Sequence, residues 1–349
     1  MITEQPVELD TFQSLLEGLY GKLNKSGTLE KMRAKAWERF LALGLPTRKN
    51  EVYKYVPLRQ LFLQSYQLAE KTTVTPEAIE AHILPECSGS VLVFVNGYFS
   101  KTLSRTQDIP TRVAIANLET AMQTYSGFIN SQWTRVLKEV SDPFAALNGA
   151  MHGDGLFLYL PPKSVLEHPI QLLNVIDASS GSYFVMPRLQ GFIGAQSELS
   201  LVSTHVVLAG TNYAINMAVD LALEEDAYCK YTQTTCHSTD QIWHFDSLHA
   251  TLKRNSTLKT VAVTDGSATV RNDYSIVFNG ENGEANLNGV WMLSGKREAH
   301  AHVFMDHQAP GCRSMQLFKG VLDDLSRSSF EGKIMAIHVK VLNGVWGQA

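Results

Sequence analysis

Between about Leu199 and Ile334 the chain alternates apolar and polar residues in short runs. Examples are Leu199-Ser200-Leu201-Val202-Ser203, Thr260-Val261-Ala262-Val263-Thr264 and Ser275-Ile276-Val277-Phe278. A period of two is that of a strand with one buried face. Pairs that tolerate positive φ punctuate the runs: Asp265-Gly266, Asn279-Gly280, Asn282-Gly283 and Asn288-Gly289. Such pairs bend or reverse a chain at little cost. The pattern predicts one long β body. Many short strands in series suit a sandwich, a barrel or a solenoid, and the pattern alone does not choose among them. No exact short repeat is visible.

Ahead of this body the period changes. Phe12, Leu15, Leu16 and Leu19 fall at helical spacing, with Gly21 near the end. A second helix is predicted from about Leu29, with Trp37, Phe40 and Leu41 on one stripe and a stop at Gly44 before Pro46. Residues 45–59 then mix charge, aromatics and two prolines, and read as a connector held by Tyr53 and Tyr55. A short helix between Pro76 and Leu84, a strand over Ser90–Phe99 turning at Asn96-Gly97, helix over 112–150 and a strand over Leu156–Leu160 complete the reading. The expected domains are a helical unit over 1–88, a β core over 89–334 with a helical insertion at about 112–150, and a divergent tail over 335–349.

Composition narrows the class. With 44% apolar and 18% charged residues the 349-residue chain is globular and long enough for a large core. A net charge of -4 argues against broad binding to nucleic acid. Residues 1–10 carry acids and no apolar core of a secretory signal, and no run is long enough to span a membrane. Four cysteines are too few for a disulfide framework, so a reducing, cytoplasmic setting is expected.

Three separated blocks then carry a resemblance. The first comprises Leu45, Pro46, Thr47 and Arg48, followed by Glu51, Tyr53, Lys54 and Tyr55. The second runs from His307 through Pro310, Cys312, Ser314 and Gln316 to Leu322, and the third holds Phe330, Gly332 and Lys333. Together they resemble the SufD family of iron–sulfur cluster assembly proteins, within the SufB/SufD superfamily, over roughly residues 30 to 334. Tyr53 stands where the family usually has Trp. The resemblance implies a mainly β fold, a right-handed parallel β-helix (solenoid) with an N-terminal helical domain. It also implies a non-catalytic scaffold that pairs with a SufB-like paralogue and a SufC-like ATPase. The iron–sulfur cluster is then the product of the complex, and no cofactor is assigned to this chain. Met335 to Ala349 matches nothing in the family, whose C-terminal helical region is missing here. A truncated or frame-shifted member is the expectation, with SufC docking put in doubt.

The remaining chemistry is sparse. His300, His302, His307 and Cys312 are the residue types of a metal site, and 300 and 302 share a strand face. Spacing alone does not make a site, so they are read as structural. Cys229, Cys236 and His237 are read as core, lacking the Cys-x-x-Cys of a zinc site. Gly289 to Lys296 is one residue too long between its glycines for a phosphate loop. Asp265, Asp273, Glu281 and Glu284, each read as lying in or beside a turn, supply the alternative function, a carbohydrate-active β-helix enzyme.

Overall fold

The computed structural model describes residues 7–23, 27–236 and 241–336. Six helices lie in the first half: α1 (Val7–Lys22), α2 (Glu30–Leu43), α3 (Leu58–Phe62), α4 (Pro76–Glu80), α5 (Leu118–Glu139) and α6 (Pro143–Met151). Among and after them come β1 (Gln67–Leu68), β2 (Val91–Val95), β3 (Tyr98–Arg105), β4 (Ala114–Asn117), β5 (Leu156–Leu160) and β6 (Ile170–Asp177). Next are β7 (Tyr183–Val185), β8 (Arg188–Ile193), β9 (Glu198–Ala209), β10 (Tyr213–Leu223), β11 (Tyr228–Cys236) and β12 (Trp243–Leu252). The last are β13 (Thr257–Gly266), β14 (Thr269–Phe278), β15 (Glu284–Leu293), β16 (Glu298–His307), β17 (Arg313–Leu322) and β18 (Arg327–Ala336).

From β9 onward, odd and even strands go to different sheets, in the orders β17-β15-β13-β11-β9-β6-β2-β3 and β18-β16-β14-β12-β10-β8-β5-β4. Every pairing is parallel except β2 with β3 and β4 with β5, which close the N-terminal edges. The β body is therefore a parallel solenoid of two-strand coils, the expected fold class. Glu198 stands opposite Tyr228, Tyr228 opposite Thr257, Thr257 opposite Glu284 and Glu284 opposite Arg313. Equivalent positions thus recur every 27 to 30 residues.

What repeats is backbone, not residue type. At the corner that leads from each even strand into the next odd one, Gln196, Asp226, Asn255, Asn282 and Gly311 all have φ between 56° and 73°. Their backbone amides bond to the coil that follows: Gln196 N–H to Glu225 O, Asp226 to Arg254 O, Asn255 to Glu281 O and Asn282 to Pro310 O. Asn, Asp and Gly tolerate the left-handed region best, which explains their dominance here. Gly280 and Gly283 sit at the same corner with ordinary φ, and Asn288-Gly289 is no turn at all but the middle of β15. A Cβ on Gly289 would lie 2.2 Å from the Phe318 ring, so that glycine makes room for an aromatic in the next coil.

In the interior between the sheets, residues of successive coils stack in rows. Leu199, Cys229, Leu258 and Ala285 form one row, and Leu201, Tyr231, Thr260 and Leu287 the next. In β13 the alternation is real but its polarity is inverted. Thr260, Ala262 and Thr264 are buried while Val261 and Val263 are half-exposed.

The even sheet is buried on its other face as well, because the helices lie on it. Phe144 of α6 stacks on Phe245 of β12 with ring centroids 4.0 Å apart and 12° between planes. Met32, Ala36 and Phe40 form the buried stripe of α2; Leu41 is exposed, and Trp37 stacks on Tyr20 instead. The predicted strand over 90–99 is a hairpin, β2 and β3, folded at Asn96-Gly97 with φ of 49° and 84°. Among the described residues no helix is long and apolar enough to cross a membrane.

Candidate functional site: the terminal coils and the polar seam beneath the helices

Tyr53 joins the helical unit to the solenoid. Its hydroxyl donates to Asp142, whose other oxygen caps α6 by accepting from the Ala145 N–H at 2.8 Å. The Arg271 guanidinium lies over the Tyr53 ring, 3.9 Å from its centroid. Arg271 also donates to Val52 O at 2.9 Å and to Asp273 at 3.1 Å, and Asp273 lies 2.8 Å from His302 Nδ1. The chain from connector to coil is continuous and buried. Tyr55, expected to share this role, is exposed.

Burial pushes the Tyr53 hydroxyl and the Asp142 carboxyl up from their ordinary values, Asp142 further so because Asp273 is near. Burial also opposes the charges of Asp273 and His302, but each overrides it for the other. The carboxyl is held below its usual value by His302 and Arg271, and the imidazole above its own by Asp273. A raised His contributes stability that is whole below about pH 6.5 and fades as pH rises through the folded value; a lowered Asp contributes above about pH 4 and fades on acidification. The stability lost in His302→Gln is therefore expected to be largest near pH 5 to 6 and to shrink toward pH 9 in urea titrations. A loss that grows with pH would contradict the pairing.

The other blocks occupy the far end. Leu45 and Pro46 are buried, Thr47 bonds Asn50, and Arg48, Glu51 and Lys54 are exposed. Cys312 is buried at the last corner with Sγ 3.3 Å from Gly280 O, while Pro310 O accepts from Asn282. Ser314 lies 3.1 Å from His307 Nε2. Gln316, Gly332 and Phe330 line the mouth, where Phe330 packs on Phe318 at 4.8 Å, and Lys333 is exposed. His300 and His302 do share a face, but each has its own partners: Glu298 and Ser329 for His300, Asp273 for His302. His307 and Cys312 stand apart from them, at the strand end and the corner.

Cys229 is core, Cys236 is exposed, and His237 lies outside the described residues. Asp273 is not beside a turn but buried in mid-strand with two partners; Asp265 pairs with Arg297 at one corner, and Glu281 is at the opposite one. The four acids do not converge.

Burial fades over the last described coil. β16 is buried at eight of its ten positions; β18, one coil on, is mostly exposed. Phe330 shares a row with the buried Asn272 and Ala301, yet is 44% exposed because no described coil covers it. On the outward face of the odd sheet, Val321 stands opposite the exposed Met292 and Lys319 opposite Val290, while Met315 and Leu317 face Asn286 and Asn288; Val290, Met292, Met315, Leu317 and Val321 are all exposed. The outer edges of β17 and β18 have no neighbour among the described residues.

The described residues thus form a helical unit seated on one face of a parallel two-sheet solenoid, with an exposed apolar stretch on the other sheet's outward face. The chain's family is plain from comparison. The description "SufBD protein N-terminal region" matches residues 13–172, and "SUF system FeS cluster assembly, SufBD core domain" matches residues 175–338. The chain belongs to the SufB/SufD superfamily of the SUF system. Over 303 residues it is 22% identical to an iron–sulfur cluster assembly SufBD family protein of Synechocystis, covering 84% of this chain and 66% of that one. It is 24% identical to SufD of Escherichia coli over 305 residues, 85% and 67% of the two chains. SufB of Bacillus subtilis is 18% identical over 254 residues, 71% of this chain and 54% of that protein. The chain thus spans between about half and two thirds of the length of these relatives.

Proposed function

We propose that the chain is a non-catalytic, SufD-type scaffold subunit of cytoplasmic iron–sulfur cluster assembly, pairing with a SufB-like paralogue. The observation that supports this reading is the outward face of β15 and β17, where Val290, Met292, Met315, Leu317 and Val321 are exposed side by side on a parallel sheet. Contiguous exposed apolar side chains on a folded domain mark a surface that another protein covers. A SufC-like ATPase joins the same assembly; the family resemblance puts that contact in a C-terminal region, outside the described residues.

Co-expression with a SufB-like protein and a SufC-like ATPase is expected to give co-elution with the paralogue. Met292→Lys together with Leu317→Lys is expected to abolish it without loss of strand signal in circular dichroism. Elution of the wild-type chain apart from both proteins would refute the reading.

A further inference from the structure

Inside the solenoid, where most rows are aliphatic, three metal-ligating residues from the two sheets meet. His205 follows the interior positions Leu201 and Ser203 on β9 and stands beside the buried Asn174 of β6. His244 and Asp246 continue the interior rows of Ile215 and Met217 of β10. One ligand atom from each of His205, His244 and Asp246 lies within 4.8 Å of the other two. The imidazoles cross at 90° with centroids 4.4 Å apart, and one Asp246 oxygen is 2.9 Å from His244 Nε2.

A second observation points to a missing occupant. The other Asp246 oxygen is buried and has no hydrogen-bond partner, although the side chain is only 3% exposed. The side-chain oxygens of Asn272, beside Asp246, and of Asn174, beside His205, are buried and unbonded too. Several unpaired acceptors around one point are costly in a core and are what a cation satisfies.

We propose that His205, His244 and Asp246 bind one divalent first-row transition-metal ion within the lumen. Two imidazoles and one carboxylate on one side of an ion, with positions left open, are the donor set that suits Fe(II). Nitrogen and oxygen ligands about 2.1 Å from a six-coordinate ion lie about 3 Å apart at adjacent positions; His244 Nε2 and Asp246 Oδ2 already have that separation, so the ion takes the place of the proton between them, and a carboxylate bound through both oxygens also satisfies the unpaired Oδ1. His205 is half-buried and gives the site its side toward solvent. The site stands on these residues alone, so failure of paralogue co-elution would leave it untouched.

The test uses the full chain, stripped with chelator and titrated without oxygen. Co(II) reports coordination through its visible absorption, and Fe(II) and Zn(II) binding is followed by equilibrium dialysis. One equivalent per chain is expected. His244→Ala, Asp246→Asn and the size-preserving His205→Gln are each expected to weaken it at least tenfold to a hundredfold, with urea midpoints showing which variants remain folded. Binding by folded variants at wild-type strength, loss of binding in His300→Ala or His302→Ala instead, or no binding by the wild type would each overturn the proposal. In all three cases the His244–Asp246 contact is a core hydrogen bond only.

Discussion

Replacement of Arg271 by leucine is expected to cost the fold about 3–5 kcal/mol, the range for removing one partner of a buried ion pair. The guanidinium is 3% exposed, donates to Val52 O and Asp273, and covers the Tyr53 ring. Without it the buried Asp142 loses its nearby positive charge, Asp273 keeps only His302, and the connector loses its bond to the coil. Because Asp273 belongs to the same network, Arg271→Leu and Asp273→Asn together should cost clearly less than the sum of the two. Urea titration measures both. A single-variant loss below about 1 kcal/mol, typical of exposed pairs, would show that the helical unit is not tied to the solenoid through this seam.

Phe245→Ala should be comparably damaging, about 3–5 kcal/mol, through lost apolar burial and the cavity that remains. Phe245 is 2% exposed, stacks on Phe144 and lies beside Trp243, so its ring is the floor on which α6 rests. Limited proteolysis should then cut the helical unit earlier, while the parallel strands keep their far-ultraviolet signal. Unchanged proteolysis with a small loss of stability would place the helix contact elsewhere.

The strands were legible because alternation needs only one buried face, as in Leu199 to Ser203. The solenoid came from the family resemblance, since its repeat is hidden. Gln196, Asp226, Asn255, Asn282 and Gly311 perform one backbone task with four residue types, so no string recurs. In β13 the inward residues are the threonines, because parallel stacking sets like hydroxyls one above another and Thr264 bonds Thr235 O in the preceding coil. Asn288-Gly289 looked like a turn because the reason for its glycine, Phe318, lies a full coil away. The His205, His244 and Asp246 cluster left no local signal. Its members come from different sheets, and only the closure of a coil brings them together. Tyr53 was legible as an anchor from its aromatic setting; Arg271, which it meets across more than two hundred residues, was not.

The account stands most directly on the apolar outward face of β15 and β17 as a docking surface. Amide hydrogen exchange of the chain, alone and co-purified with its SufB-like paralogue, measures that surface strand by strand. Strong slowing across β15 and β17 in the complex, with β10 and β12 unchanged, is the predicted result. Protection confined to the helical unit, or none at β15 and β17, would contradict it.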